Sequence, residues 1–278
     1  MRMCVLGSGS SGNSIYIASD GYSFLIDAGL SRRELQERLA SVGSALSEIG
    51  AILISHEHHD HIRGLAGLCR SHCIPVYVNR HTANAIIEKG IPARRLRFFK
   101  TGADFQLGPV TVHPFSIPHD ASDPVGFIVT AGDCRVGIAT DLGCPAAQVK
   151  QMLRGCRAIV IESNHDRDLL DNGPRPIALK ERIRGDLGHL SNEMAAELLA
   201  EVASESLSDI FLAHLSEECN RPDVARLMVD QAVRRAGFEH VSIRLTYADR
   251  VSDLVEYHRA EREAASPCRG ERGISCGT

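Results

Sequence analysis

Four histidines and an aspartate fall within six residues, directly behind a run of apolar side chains. Residues 51–54 (Ala-Ile-Leu-Ile) form a continuous apolar stretch, as in a strand buried on both faces. Ser55-His56-Glu57-His58-His59-Asp60-His61 follows without a break. So many polar groups cannot enter a core unpaired, so the buried strand has to end there and carry the cluster at its terminus. A zincin motif needs histidine at the fifth position after His56-Glu57, where Asp60 stands, so that reading fails. The pattern HxHxDH survives. His56 and His58, two apart, can point to one side, with Asp60 and His61 on the turn beyond, so one short loop can serve two metal ions.

The chain around this loop alternates strands and helices. Residues 3–6, 14–18 and 22–27 read as strands, the last after an Asp20-Gly21 turn. Ser31-Arg32-Arg33-Glu34 is a capping box opening a helix to about Val42. A helix at 65–73, a strand at 76–78 and a helix at 82–89 follow, and from 97 to 139 the pattern turns to β. Pro145 opens a helix that Gly155 ends. Residues 158–161 and 210–213 are further buried strands, and the helix between them carries Met194, Leu198, Leu199 and Val202 on one face. A last helix runs from Pro222 to Gly237, before a strand at 241–246. Strands preceding helices in both halves predict an α/β fold with a sheet-on-sheet core and helices outside. At 278 residues and 44% hydrophobic, the chain has ample apolar surface for such a core. Residues 259–278, rich in Glu, Arg, Gly and Ser, are expected to be a disordered tail outside a domain of residues 1–258.

Composition excludes several classes. No run approaches the roughly 20 apolar residues of a membrane-spanning helix, and the first six residues are too short for a signal peptide, so a cytoplasmic location is expected. Nine cysteines, an odd number with no CxxC pair, point to free thiols in a reducing compartment. A net charge of −4 gives no bulk attraction to nucleic acid, so contact with it has to come from local patches. Two candidates are Arg94-Arg95-Leu96-Arg97-Phe98-Phe99-Lys100, which interleaves cations with aromatics, and the cluster Lys180, Arg182 and Arg184.

Further ligand candidates stand at strand ends: His119 between two β segments, Asp141 after the strand ending at Ala139, and His214 after Ala213. Gly7-Ser8-Gly9-Ser10-Ser11-Gly12 matches a dinucleotide-binding fingerprint, but a strand rather than a helix follows, so it reads as a tight turn lining a site with its N–H groups. His189 lies just before Ser191, a plausible helix N-cap whose helix end favours anions.

Asp27 in Leu25-Ile26-Asp27-Ala28-Gly29, the HxHxDH loop, His119, Asp141 and His214 together resemble the ordered motif series of the metallo-β-lactamase superfamily over roughly residues 1–250. The resemblance implies a single-domain, four-layer αββα sandwich with a two-metal site. It implies that His56, His58 and His119 hold one metal, Asp60, His61 and His214 the other, that Asp141 bridges them, and that Asp27 orients a ligand. The ligands are nitrogen and oxygen, a set that accepts Zn²⁺, Mn²⁺ or Fe.

Gly188-His189-Leu190-Ser191-Asn192-Glu193 is similar to the region of tRNase Z whose histidine assists phosphodiester cleavage. The turn at 7–14, Glu162-Ser163-Asn164-His165-Asp166 and Glu217-Glu218-Cys219-Asn220 together resemble the YycJ/WalJ branch, regarded as DNA exonucleases. Only 72 residues separate Asp141 from His214, too few for the large β-CASP insertion of RNA-processing relatives. No Gly/Pro-rich arm for gripping tRNA is present either. The resemblance therefore implies a cytoplasmic dinuclear phosphodiesterase acting on DNA, 5′ to 3′. A hydroxide between the metals would be the nucleophile, Asp60 and His189 catalytic, and His165 and Ser191 candidates for substrate binding. Two other functions fit parts of the pattern: a thioester or lactone hydrolase in the manner of glyoxalase II, which has no evident need for His189, and a metal-binding regulatory protein without turnover.

Overall fold

Apolar runs that alternate sides build two facing sheets of seven strands each. In the computed structural model, which describes residues 1–258, the first sheet takes β1 (Arg2–Gly7), β2 (Ser14–Ser19), β3 (Tyr22–Ile26), β4 (Ile49–Leu53), β5 (Val76–Val78) and β6 (Leu96–Phe98) in chain order. The second takes β7 (Phe105–Leu107), β8 (Val110–Ser116), β9 (Val125–Ala131), β10 (Cys134–Ala139), β11 (Ala158–Glu162), β12 (Asp209–Ala213) and β13 (Ser242–Leu245). The short β14 (Val255–Glu256) returns to the first sheet beside β1. The expected tail at 259–278 lies outside the described residues.

Between the sheets Phe24, Ile26, Phe127, Val160 and Phe211 interleave. Their chain neighbours Leu25, Ile159 and Ile161 face outward onto helices. The capping box at Ser31 and Glu34 forms and opens α1 (Arg32–Ser41). The single turn α2 (His59–Ile62), α3 (Leu65–Ser71) and α4 (Arg80–Glu88) follow, and α1, α3 and α4 cover the first sheet with Leu35, Leu39, Leu65, Leu68 and Ile86. On the second sheet α5 (Ala147–Leu153) is followed by α6 (Arg167–Asn172), α7 (Ile177–Arg184), α8 (Asn192–Val202) and α9 (Pro222–Arg235). Helices α5, α8 and α9 pack there through Val149, Leu153, Leu198, Leu199, Ala225 and Val229. The result is the αββα sandwich. Helices α6 and α7 have no counterpart in the sequence reading, because the Gly173-Pro174-Arg175-Pro176 break hides two short, polar helices held by a small cluster of Leu170, Ile183 and Cys219. Asp60 and His61, read as turn residues, belong to α2.

The site follows from strand direction. Strands β3 to β6 run parallel, as do β10 to β13. Asp27, Ser55, Asp141 and His214 follow directly or closely on the C-terminal ends of β3, β4, β10 and β12, and Glu162 ends β11. Functional groups collect at such strand ends because the loops beyond them are free of core packing. Three loops are stitched together there: Asn13 N–H donates to the Asp60 carbonyl, Ala28 N–H to the His61 carbonyl and Gly64 N–H to the Ala28 carbonyl, all at 2.8 Å. This approach leaves no room at Gly29, where a Cβ would fall 1.6 Å from the Asp60 carbonyl oxygen. Gly29→Ala is expected to cost about 3 kcal/mol or more and to lower the melting temperature by about 6 °C or more, because the neighbour is backbone and cannot swing aside. A melting temperature within about 1 °C of the parent would show that the three loops yield freely.

Among the described residues the seven cysteines are free, and no helix is long and apolar enough to cross a membrane.

Candidate metal centre

The histidine loop enters the cleft edge from β4. His56, His61, His119, Asp141 and His214 are all buried, and His58 is half-buried. Ligand atoms of His56, His58 and His119 lie within 4.8 Å of one another, as do those of His56, His61 and Asp141. The carboxylate of Asp141 faces both ways: Oδ2 is 3.1 Å from His61 Nε2, and Oδ1 is 3.1 Å from His214 Nδ1. Asp60 Oδ2 sits 3.5 Å from both His61 Nε2 and His214 Nε2. All seven residues singled out as ligands in the sequence thus converge on one patch.

Three of the rings are held from behind. Asp27 Oδ2 is 2.7 Å from His61 Nδ1, and its two oxygens also accept from Ser55 N–H (2.8 Å) and Ser55 Oγ–H (2.7 Å). Ser55 Oγ is 3.0 Å from His56 Nδ1, and the Gly188 carbonyl accepts from His119 Nδ1 at 3.1 Å. Such partners set the tautomer and leave the other ring nitrogen for a ligand role.

The backbone is strained at the same place. Four non-glycine residues have positive φ among the described residues: Asp20, in its turn, and Asp27 (61°), Asp141 (59°) and His214 (52°). For three side chains of one cluster to share this sparsely allowed conformation, the surrounding structure has to impose it.

Charge inside the cluster is organised accordingly. Burial, reinforced by the neighbouring His61, His119 and His58 rings, drives the His56 pKa well below that of free histidine, into the neutral, metal-binding form. Burial opposes ionisation of Asp141, yet the His214 and His61 rings outweigh it and hold the carboxyl well below the usual range. Burial likewise opposes protonation of His61 and His214, but the Asp141 carboxylate, with the other acids, raises both.

The residues fit a divalent metal. His56 Nε2, Asp141 Oδ2 and His214 Nε2 are buried ligand atoms that make no hydrogen bond. Leaving buried polar atoms unpartnered is costly, so a group has to be paired there. With only nitrogen and oxygen donors, the set suits Zn²⁺, Mn²⁺ or Fe.

Two residues of this site were not among the sequence candidates. Glu162 is fully buried, and its Oε2 is 3.0 Å from His189 Nδ1 and 3.1 Å from His214 Nδ1. Its Oε1 accepts from Leu142 N–H (3.1 Å) and Leu190 N–H (2.8 Å). Both oxygens are occupied, so it orients rings rather than offering a metal ligand, although it lies within ligand range of Asp141, His189 and His214. Burial would raise its carboxyl, but the His189 and His214 rings bring it down to about 2, and burial's opposition to a charged His189 is likewise outweighed by Glu162. A carboxylate closing an apolar strand was the available signal. Asn13 is the other: its Nδ2 lies 3.0 Å from both Asp60 Oδ2 and His61 Nε2. The turn at 7–14 thus reaches the site by side chains, Asn13 and Ser8, whose Oγ accepts from His214 N–H at 2.7 Å. Of its N–H groups, Ser8 donates to the Tyr247 carbonyl, Gly9 to Asn13 Oδ1 and Gly12 to the Gly9 carbonyl, while Ser10 lines the cleft beside His189 and His214.

The remaining candidates sit further out. Ser191 caps α8 through Met194 N–H, and buried His165 lies beside it. Of the interleaved patch, Phe98 is exposed, but Phe99 turns into the core and stacks on Phe105, because strand alternation sends the two rings to opposite sides.

Residues 22–210 match the beta-lactamase superfamily domain. The chain is 35% identical to exodeoxyribonuclease YycJ of Bacillus anthracis over 240 residues, 86% of this chain and 91% of that protein. It is 34% identical to exodeoxyribonuclease WalJ of Streptococcus pneumoniae, over 83% of this chain and 87% of that one. In three dimensions it superposes on the metallo-β-lactamase fold protein YhfI of Bacillus subtilis with a TM-score of 0.68, covering 90% and 97% of the two chains at 17% identity. Fold, domain match and near full-length kinship agree, and the chain belongs to the metallo-β-lactamase superfamily of metal-dependent hydrolases.

Proposed function

We propose that this protein is a dinuclear phosphodiesterase acting on nucleic acid, specifically a DNA exonuclease working 5′ to 3′. In this reading His56, His58 and His119 would hold one divalent ion, Asp60, His61 and His214 would hold the other, and Asp141 would contribute to each. The carrying observation is the placement of His189. Its Nδ1 is held by Glu162, and its ring lines a cleft of about 160 Å³ together with His214, Arg175 and Arg182. A phosphodiester brings an anionic centre and an alkoxide leaving group, which call for cations and a positioned proton donor. A thioester calls for neither. The two curated relatives named above are exodeoxyribonucleases, which supports DNA as the substrate.

Bound divalent ions supply Lewis acidity and a water acidified enough to attack at neutral pH. The protein's own groups do the rest. With Nδ1 tied to Glu162, the remaining nitrogen of His189 is free to donate to a phosphoryl or departing oxygen. Arg182 and Arg175 sit at the cleft, paired with Asp120 (2.6 Å) and Glu218 (2.9 Å), where their guanidinium groups can meet the phosphate backbone. Glu162→Gln keeps the shape but removes the charge behind His214 and His189. It is expected to weaken metal retention about 10–100-fold in chelator competition, and unchanged affinity would mean that Glu162 does not orient a ligand.

End-labelled single- and double-stranded DNA and RNA, digested with and without Mn²⁺, test the assignment. Stepwise loss from the 5′ end of DNA is expected. Inertness toward all four polymers, with hydrolysis of a glutathione thioester instead, would overturn it.

A further inference from the structure

A second cavity lies on the far side of His189, about 310 Å³ in volume, and contains none of the seven proposed metal ligands. Its size sits at the lower end of small-ligand sites, enough for one nucleotide and too little for a strand. Leu170 and Met194 give it apolar walls, and His165 and His189 supply imidazole rings. Arg167 and Arg184 stand at its exposed rim. Arg167 pairs with Glu193 at 3.4 Å and Arg184 with Asp171 at 2.8 Å, surface carboxylates that both can exchange for a phosphate.

His165 is the telling residue. It is buried to within 2% of full burial, its Nδ1 makes no hydrogen bond, and its backbone is fixed because its carbonyl accepts from Asn192 N–H at 2.9 Å. Burial lowers its pKa to about 4, so the ring stays neutral, with one nitrogen a donor and the other an acceptor. A neutral donor–acceptor group between apolar walls suits the edge of a nucleobase rather than a phosphate.

The geometry points to a terminal-nucleotide pocket: the end base of the strand lodges between Leu170 and Met194 against His165, its phosphate at Arg167 and Arg184. The adjoining phosphodiester then lies across His189, beside the metal residues. This rests on the nuclease reading above and adds its product: a pocket with room for one nucleotide implies release of mononucleotides.

Calorimetric titration tests it directly, comparing deoxyadenosine 5′-monophosphate with 2-deoxyribose 5-phosphate. The wild-type protein is expected to bind the nucleotide about tenfold or more tightly, the worth of seating one base. Met194→Trp, which fills the cavity from a half-buried position, is expected to erase that preference, and Met194→Ala to weaken it. Equal binding of the two ligands by the wild type would overturn the pocket without recourse to any variant, as would full preference in Met194→Trp. A wild-type protein that prefers the nucleotide but cleaves no phosphodiester would instead sink the nuclease reading and leave the pocket standing.

Discussion

Asp141→Ala is expected to lower bound metal from two equivalents per chain to one or fewer and to reduce phosphodiester hydrolysis by at least about 10³-fold, about 4 kcal/mol of transition-state stabilisation. The reason is geometric. Asp141 offers a ligand atom within 4.8 Å of those of both His56 and His61, which belong to different ions in this reading, and it also contacts the His61 and His214 rings at 3.1 Å each. It also offsets the charge on those two buried rings, so its removal leaves them without their principal counter-charge. Metal analysis beside steady-state rates checks the expectation, with circular dichroism to confirm folding. Two full equivalents and parental turnover in a folded variant would mean that Asp141 has no part in the centre.

His189→Ala should separate binding from chemistry. His189 touches Glu162 and lies 3.8 Å from Asp141, but it is not one of the seven proposed ligands, so both metals should remain. Turnover of DNA should fall about 10²–10⁴-fold, the range for one positioned acid–base group. Single-turnover cleavage with enzyme in excess over substrate and above Kd reads that step without interference from product release. An unchanged single-turnover rate would remove His189 from the mechanism. A parallel loss of metal would make it a ligand instead.

Much of the fold was legible because its strands are long apolar runs. Residues 158–162 and 209–213 are buried throughout and 49–53 at all but Gly50, and no other element suits five such residues ending in a polar loop. The histidine loop was legible for the complementary reason: ligand side chains so dense are expensive anywhere but at a site. Glu162 was not recognised as a partner, because an isolated carboxylate at a strand end says nothing of which rings will face it. That depends on parallel pairing of β10, β11 and β12, a long-range property. The positive φ values of Asp27, Asp141 and His214 are equally invisible, since none of these residues is a glycine advertising the conformation. Helices α6 and α7 escaped because their burial is confined to a small satellite cluster, and amphipathic periodicity needs more turns than they have.

Anomalous diffraction from crystals grown with Mn²⁺ tests the central claim most directly. Two peaks per chain are predicted, both among His56, His58, Asp60, His61, His119, Asp141 and His214, with Asp141 next to each. A single peak, or manganese bound away from these seven side chains, would contradict a two-metal centre.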